Sequence, residues 1–168
     1  MKKNRFILIT FLLITLAIIY SLFCPFIIVK PDEKIPFMNK ELNVGDTISP
    51  LKNIKINSVY LVFSRNDIKE LPIGISKNKV LMTNEKEILE ELSKIFVFKY
   101  TGKDLATCES YICIYNSNEL IFKSTLSIKD TLWGLQNRSY GWSEAVHNIR
   151  LIEILKKFKP CYYPILFL

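Results

Sequence analysis

Histidine, glycine and alanine are all scarce in this chain of 168 residues, and each shortage closes off a class of chemistry or explains a bias. The single histidine, His147, excludes any site that needs two imidazoles. Five glycines make no phosphate-cradling loop: Tyr100-Thr101-Gly102-Lys103 carries the G-K pair without the glycine spacing such a loop requires. Alanine occurs only as Ala17, Ala106 and Ala145, whereas Ile, Lys and Asn abound. An AT-rich genome gives that bias, which accounts for much of the lysine and asparagine without a functional cause. No internal repeat or low-complexity tract is present.

The absence with the largest consequence is of charge. Phe6 to Val29 is a run of 24 residues with no ionised side chain, dominated by Ile, Leu and Phe. At about 1.5 Å per residue it reaches roughly 36 Å, against a hydrocarbon core of about 30 Å. A soluble core helix needs a polar stripe on its wet face, and Thr10, Thr15, Tyr20 and Ser21 do not make one. We therefore read residues 1–29 as a transmembrane anchor. The apolar run is longer than the usual h-region of about 7–15 residues, and no A-x-A-like cleavage site follows. Phe23 before Cys24 also suits lipoprotein processing poorly, so the anchor is expected to stay uncleaved.

Lys2, Lys3 and Arg5 precede the run, whereas Lys30 and Lys34 come after it. That cation bias predicts an N-terminus in the cytoplasm and the rest outside a bacterial cytoplasmic membrane, single-pass, with residues 6–29 in the bilayer. The same bias disposes of a nucleic-acid partner. Of the net charge of +7, residues 1–30 supply +4 from Lys2, Lys3, Arg5 and Lys30, leaving only +3 for the rest of the chain. A nucleic-acid reader would concentrate its cations on one face.

Beyond the anchor, residues 30–57 read as linker and lead-in, marked by Pro31, Pro36, Pro50 and the Asn43–Asp46 turn cluster. Residues 58–168 read as one domain. SVYLVFS (58–64) is an apolar β-branched and aromatic run that predicts a central strand, and KVLMT (79–83) predicts another. Asn84 with Glu87 three residues on makes a capping box for a helix carrying Ile88, Leu89, Leu92, Ile95 and Phe96 on one stripe. YICIY (111–115), the Asn116-Ser117-Asn118 cluster and the alternating ELIFKSTLSI (119–128) predict a hairpin with one buried face, with Ser124 as its polar exception. TLWGLQ (131–136) makes a further strand, and a last helix is expected from about Ser143 to Phe158. The expected fold class is α+β: an N-terminal transmembrane helix, then a small antiparallel sheet with two packed helices.

Candidate chemistry is thin. Ser49-Pro50-Leu51-Lys52 has the S-x-x-K spacing of serine acylases but lies in the linker and lacks S-D-N and K-T-G partners. Cys108, Cys113 and Cys161 lie in the domain, and two of them would pair in an oxidising compartment, or all would stay buried thiols. Joined by His147 they make a poor zinc spacing, so no metal or other cofactor is expected. Trp133, Arg138, Tyr140 and Trp142 gather the residue types of interface hot spots on one glycine-flanked stretch, the alternative being that both tryptophans fill the core. The expected function is that of a non-catalytic binding module with an unidentified protein partner: an inhibitor, an immunity-type protein or an accessory subunit. The alternative is a membrane-anchored hydrolase using Ser49 and Lys52 or a cysteine nucleophile.

Overall fold

The computed structural model describes residues 2–29, 42–103, 108–117, 119–130, 132–137 and 141–168. It opens with α1 (Lys2–Phe23), one uninterrupted helix of 22 residues. Within it, Phe6–Phe23 is long and apolar enough to cross a membrane, with a mean hydropathy of 2.7 and none of it buried against the rest of the fold. The Thr10 and Thr15 hydroxyls donate back to the Phe6 and Phe11 carbonyls at 3.0 and 2.9 Å, so these polar side chains are satisfied inside the helix.

Strands dominate the chain beyond α1. In chain order they are β1 (Phe26–Ile28), β2 (Thr47–Ile48), β3 (Ser58–Val62), β4 (Val80–Thr83), β5 (Phe98–Tyr100), β6 (Ser110–Asn116), β7 (Glu119–Lys129), β8 (Leu132–Asn137), β9 (Gly141–Ala145), β10 (Lys159–Pro160) and β11 (Ile165–Phe167). Between them lie a one-turn helix α2 (Asp67–Glu70), then α3 (Lys86–Ile95) and α4 (Asn148–Leu155). Nine strands make one antiparallel sheet in the order β10-β4-β3-β6-β7-β8-β9-β5-β2, and β1 with β11 makes a separate parallel pair. This corrects the expected fold class: the protein is not a small antiparallel sheet with two packed helices but a large sheet, a second small one and the apolar helix. Strands of two or three residues, such as β2, β5 and β10, are held by ladder partners far off in sequence and leave no periodic signal of their own.

One stretch changes type altogether. The last helix begins at Asn148, and the expected first turn is instead β9, paired with β8 on one side and β5 on the other. Strand neighbours on both edges satisfy the backbone groups of Gly141–Ala145, which outweighs the capping signal at Ser143. The apolar stripe of α3 agrees with the structure, with Ile88, Leu89, Leu92 and Ile95 buried. The capping box does not form: the residue before the helix is Glu85, not Asn84, and no side chain among the described residues caps the first turn.

The period of two sorts each strand between two apolar layers. Val59 and Leu61 of β3, and Ile112 and Ile114 of β6, face the larger core with residues of α3 and α4. Tyr60 and Val62, with Tyr111, Cys113 and Tyr115, face a smaller core capped by Ile27 of β1 and Leu166 and Leu168 at the end of the chain. The hairpin forms as expected, with one refinement. A bulge between Ile114 and Tyr115 in the β6–β7 register sends Leu120 to the smaller core, while Phe122, Leu126 and Ile128 stay in the larger one. Ser124 is buried, and its hydroxyl donates to the Gln136 carbonyl at 3.0 Å, which resolves the polar exception.

Trp133 and Trp142 are both fully buried, on opposite faces of the sheet. Trp133 sits in the larger core, edge-on to Phe96 and Phe98 at ring separations of 6.0 and 6.2 Å. Trp142 lies across Gly134, where a Cβ would come within 1.9 Å of the indole. Gly134 is therefore a space requirement rather than a backbone one. Gly134→Ala is expected to destabilise the domain by about 1–3 kcal/mol through overpacking. A lowered urea midpoint of the full chain in detergent, at unchanged m-value, is the expected reading; a wild-type midpoint would contradict the contact.

Candidate membrane-facing site

The residues that leave α1 are fastened to the last residues of the chain. Phe26, Ile27 and Ile28 pair in parallel with Ile165, Leu166 and Phe167. The Phe26 N–H donates to the Pro164 carbonyl at 3.0 Å and the Leu168 N–H to the Ile28 carbonyl at 2.8 Å. The Lys79 ammonium donates to the Pro25 carbonyl at 3.2 Å, and the Phe23 ring meets Tyr162 edge-on at 5.7 Å. No spacer separates the helix from folded structure, because β1 begins three residues after Phe23.

Alternation then divides this small sheet into two faces. Ile27 and Leu166 point inward onto the smaller core. Phe26 and Ile165 form one outward pair and Ile28 and Phe167 another, and all four are exposed, Phe26 at 69% and Phe167 at 66%. Tyr162 and Tyr163 are also exposed beside them in sequence. The result is an apolar and aromatic patch at the exit of an apolar helix. In sequence PFII and ILFL are continuous short apolar runs, and neither segment reveals alone that it will find the other.

The residues singled out from sequence lie elsewhere. Neither Trp133 nor Trp142 presents its ring to solvent. The Trp142 indole N–H donates to Glu144 Oε1 at 3.1 Å. Arg138 and Tyr140 lie outside the described residues. Ser49 and Lys52 both line an open groove of about 500 Å³ beside α3, with Ser93 and Lys94. The contact between Ser49 and Lys52 is through the backbone, the Lys52 N–H donating to the Ser49 carbonyl at 3.2 Å. The acidic face of α3 is largely engaged within the chain: Glu91 pairs with Lys157 at 3.0 Å, Glu90 with Lys86, and Glu85 with Lys159.

A polar cluster that sequence reasoning missed closes the turn into α2. The Ser64 hydroxyl accepts from the Asp67 N–H at 3.1 Å and donates to Asp67 Oδ2 at 2.9 Å. The fully buried Ser110 hydroxyl donates to the same carboxylate oxygen and accepts from the Ser64 N–H at 2.9 Å. The Ser64-x-x-Asp67 spacing is a local capping signal, whereas Ser110 arrives from β6. Both hydroxyls are committed to Asp67, which makes the cluster a structural tie between β3, α2 and β6.

No disulfide joins Cys108, Cys113 and Cys161 in this structure. Among the described residues no group of three or more His, Cys, Asp and Glu side chains is placed to hold a metal ion. Burial pushes the Cys108 thiol above its ordinary value, with the Asp67 charge adding to the effect and Lys129 opposing it. Burial likewise raises Cys161. Such thiols hold their protons, the opposite of an activated nucleophile. Tyr60, Tyr111 and Tyr115 are raised for the same first reason, burial, with neighbouring Cys161 or Cys113 adding to it.

No protein-family model matches the chain, and neither a curated protein nor a solved structure matches it.

The raised groups set a pH dependence. Unfolded thiols ionise near 9.0 and phenols near 10.0, while the folded protein keeps its protons to higher pH. Above those values the unfolded state binds fewer protons than the folded state, so stability falls as pH rises. The denaturation midpoint of the full chain in detergent is expected to drop steadily between about pH 8 and about pH 11. A midpoint that holds or rises over that window would contradict the burial of these side chains.

Proposed function

We propose that the chain is a single-pass protein of a bacterial cytoplasmic membrane, N-terminus inside, which holds a non-catalytic binding domain against the outer surface. The observation that carries the reading is the helix Phe6–Phe23, whose apolar side chains find no cover within the fold. In water an exposed apolar surface of that size drives association or precipitation; in lipid it costs nothing, and the backbone groups between the helix ends are bonded along the helix. The cation bias of Lys2, Lys3 and Arg5 supports the orientation.

The domain is read as an inhibitor, an immunity-type protein or an accessory subunit. Of the candidate contact residues Trp133, Arg138, Tyr140 and Trp142, both tryptophans are buried, which leaves Arg138 and Tyr140 as the proposed partner contact. The hydrolase reading is weaker: burial raises the Cys108 and Cys161 thiols, and the Ser49–Lys52 bond is a backbone one.

Protease added to intact spheroplasts is expected to remove the domain while a fragment containing α1 stays in the membrane pellet after alkaline carbonate washing. Full protection of the domain would overturn the orientation. A mature chain beginning beyond Val29, or one released by carbonate, would overturn the tether.

A further inference from the structure

We infer that the β1–β11 patch is a second membrane contact, and that the domain lies on the bilayer with this face embedded at headgroup depth instead of swinging above it. The inference rests on the tether reading and adds an orientation to it. Phe26 is separated from Phe23 by at most about 11 Å of extended chain. The zone between hydrocarbon and water is roughly 5–8 Å thick on each side. A helix that fills the hydrocarbon as far as Phe23 therefore holds Phe26 within the headgroup zone or at its outer edge, and Phe26 carries Ile165 with it through their pairing.

Composition and attachment favour lipid as the occupant. Phe26, Ile28, Tyr162, Tyr163, Ile165 and Phe167 all stand exposed at the helix exit, and no charged side chain interrupts the two strands. Aromatic rings with aliphatic neighbours are what the membrane–water boundary selects. A second copy of this chain is a poorer fit, since stable protein interfaces draw on roughly 20 or more residues a side. The connection is also stiff enough to hold the face in place. Three ties cross it: the strand pairing, the Lys79 bond to the Pro25 carbonyl and the Phe23–Tyr162 ring contact.

The test uses the full chain in vesicles of phosphatidylglycerol and phosphatidylethanolamine. A tryptophan probe is placed by Phe167→Trp and, separately, by Leu12→Trp. The native Trp133 and Trp142 are buried in the domain and supply a constant background. With lipids brominated near the headgroup, the emission added by Phe167→Trp is expected to fall roughly twofold, as for a side chain 5–10 Å into the boundary. The emission added by Leu12→Trp is expected to fall with lipids brominated near the chain end. Quenching of Leu12→Trp without quenching of Phe167→Trp would overturn the docked face and leave the tether intact. Absence of quenching at both positions would overturn the tether itself, and the docked face with it. Ile165→Trp repeats the measurement from the neighbouring exposed position should Phe167→Trp disturb the strand. A Phe167→Trp signal shielded from bromine and dependent on protein concentration would assign the face to a second copy, which also overturns the proposal.

Discussion

The parallel pairing of Phe26–Ile28 with Ile165–Phe167 is the constraint on which the rest of the molecule depends. It joins the residues leaving the helix to the last residues of the chain, so almost the whole domain lies in the loop that the pairing closes. Closing so long a loop costs entropy, but the cost grows only with the logarithm of length. The inward side chains Ile27, Leu166 and Leu168 offset it by covering Val62, Val80, Cys113 and Tyr115, which would otherwise be an exposed apolar face of the large sheet. The same three-residue strand thus closes the second core and fixes the domain to the helix.

Some polar groups buried in the sheet are resolved in place, whereas the Ser143 and Tyr115 hydroxyls and the Trp133 indole N–H are buried with no hydrogen-bond partner among the described residues. Ser124, Ser110 and Ser64 all find carbonyl or carboxylate partners within the fold. Burying a hydroxyl without a partner costs about 1–3 kcal/mol by protein measurements, so these pairings spare the fold a cost that it bears at Ser143 and Tyr115. The ion pairs are of another kind. Lys157 with Glu91 and Lys129 with Glu70 are largely exposed, and such pairs contribute little on their own. The fold is held by its two apolar layers and the aromatic cluster of Phe96, Phe98, Phe122 and Trp133.

Legibility in the sequence tracked the range of the interactions involved. Helix α3 showed itself because its apolar stripe is local, and the β6–β7 hairpin because its turn and its alternation are adjacent. The Ser143 region misled because a serine before an apolar run is a helix signal, whereas the two neighbours that made Gly141–Ala145 a strand come from residues 98–100 and 134–137. Strands β1, β2, β10 and β11 are too short to carry a period. Composition marked Trp133 and Trp142 as notable, yet only the sheet decided that both rings turn inward and that Gly134 must stay small to admit one of them. That residues 26–28 and 165–167 share one exposed face was hidden for the same reason, since PFII and ILFL are ordinary apolar segments until paired.

By itself the sequence determined that this chain begins its described part with a helix apolar all round, because absence of charge over a membrane's width is a property of consecutive residues and needs no partner to be read. It also determined which local segments favour helix or hairpin. Tertiary structure alone decided that the sheet has nine strands, that residues 26–28 and 165–167 meet, and that the aromatic face so formed stands at the helix exit. Those outcomes depend on which strand edges find each other across the length of the chain, and backbone hydrogen bonding carries no sequence label that would announce the choice in advance.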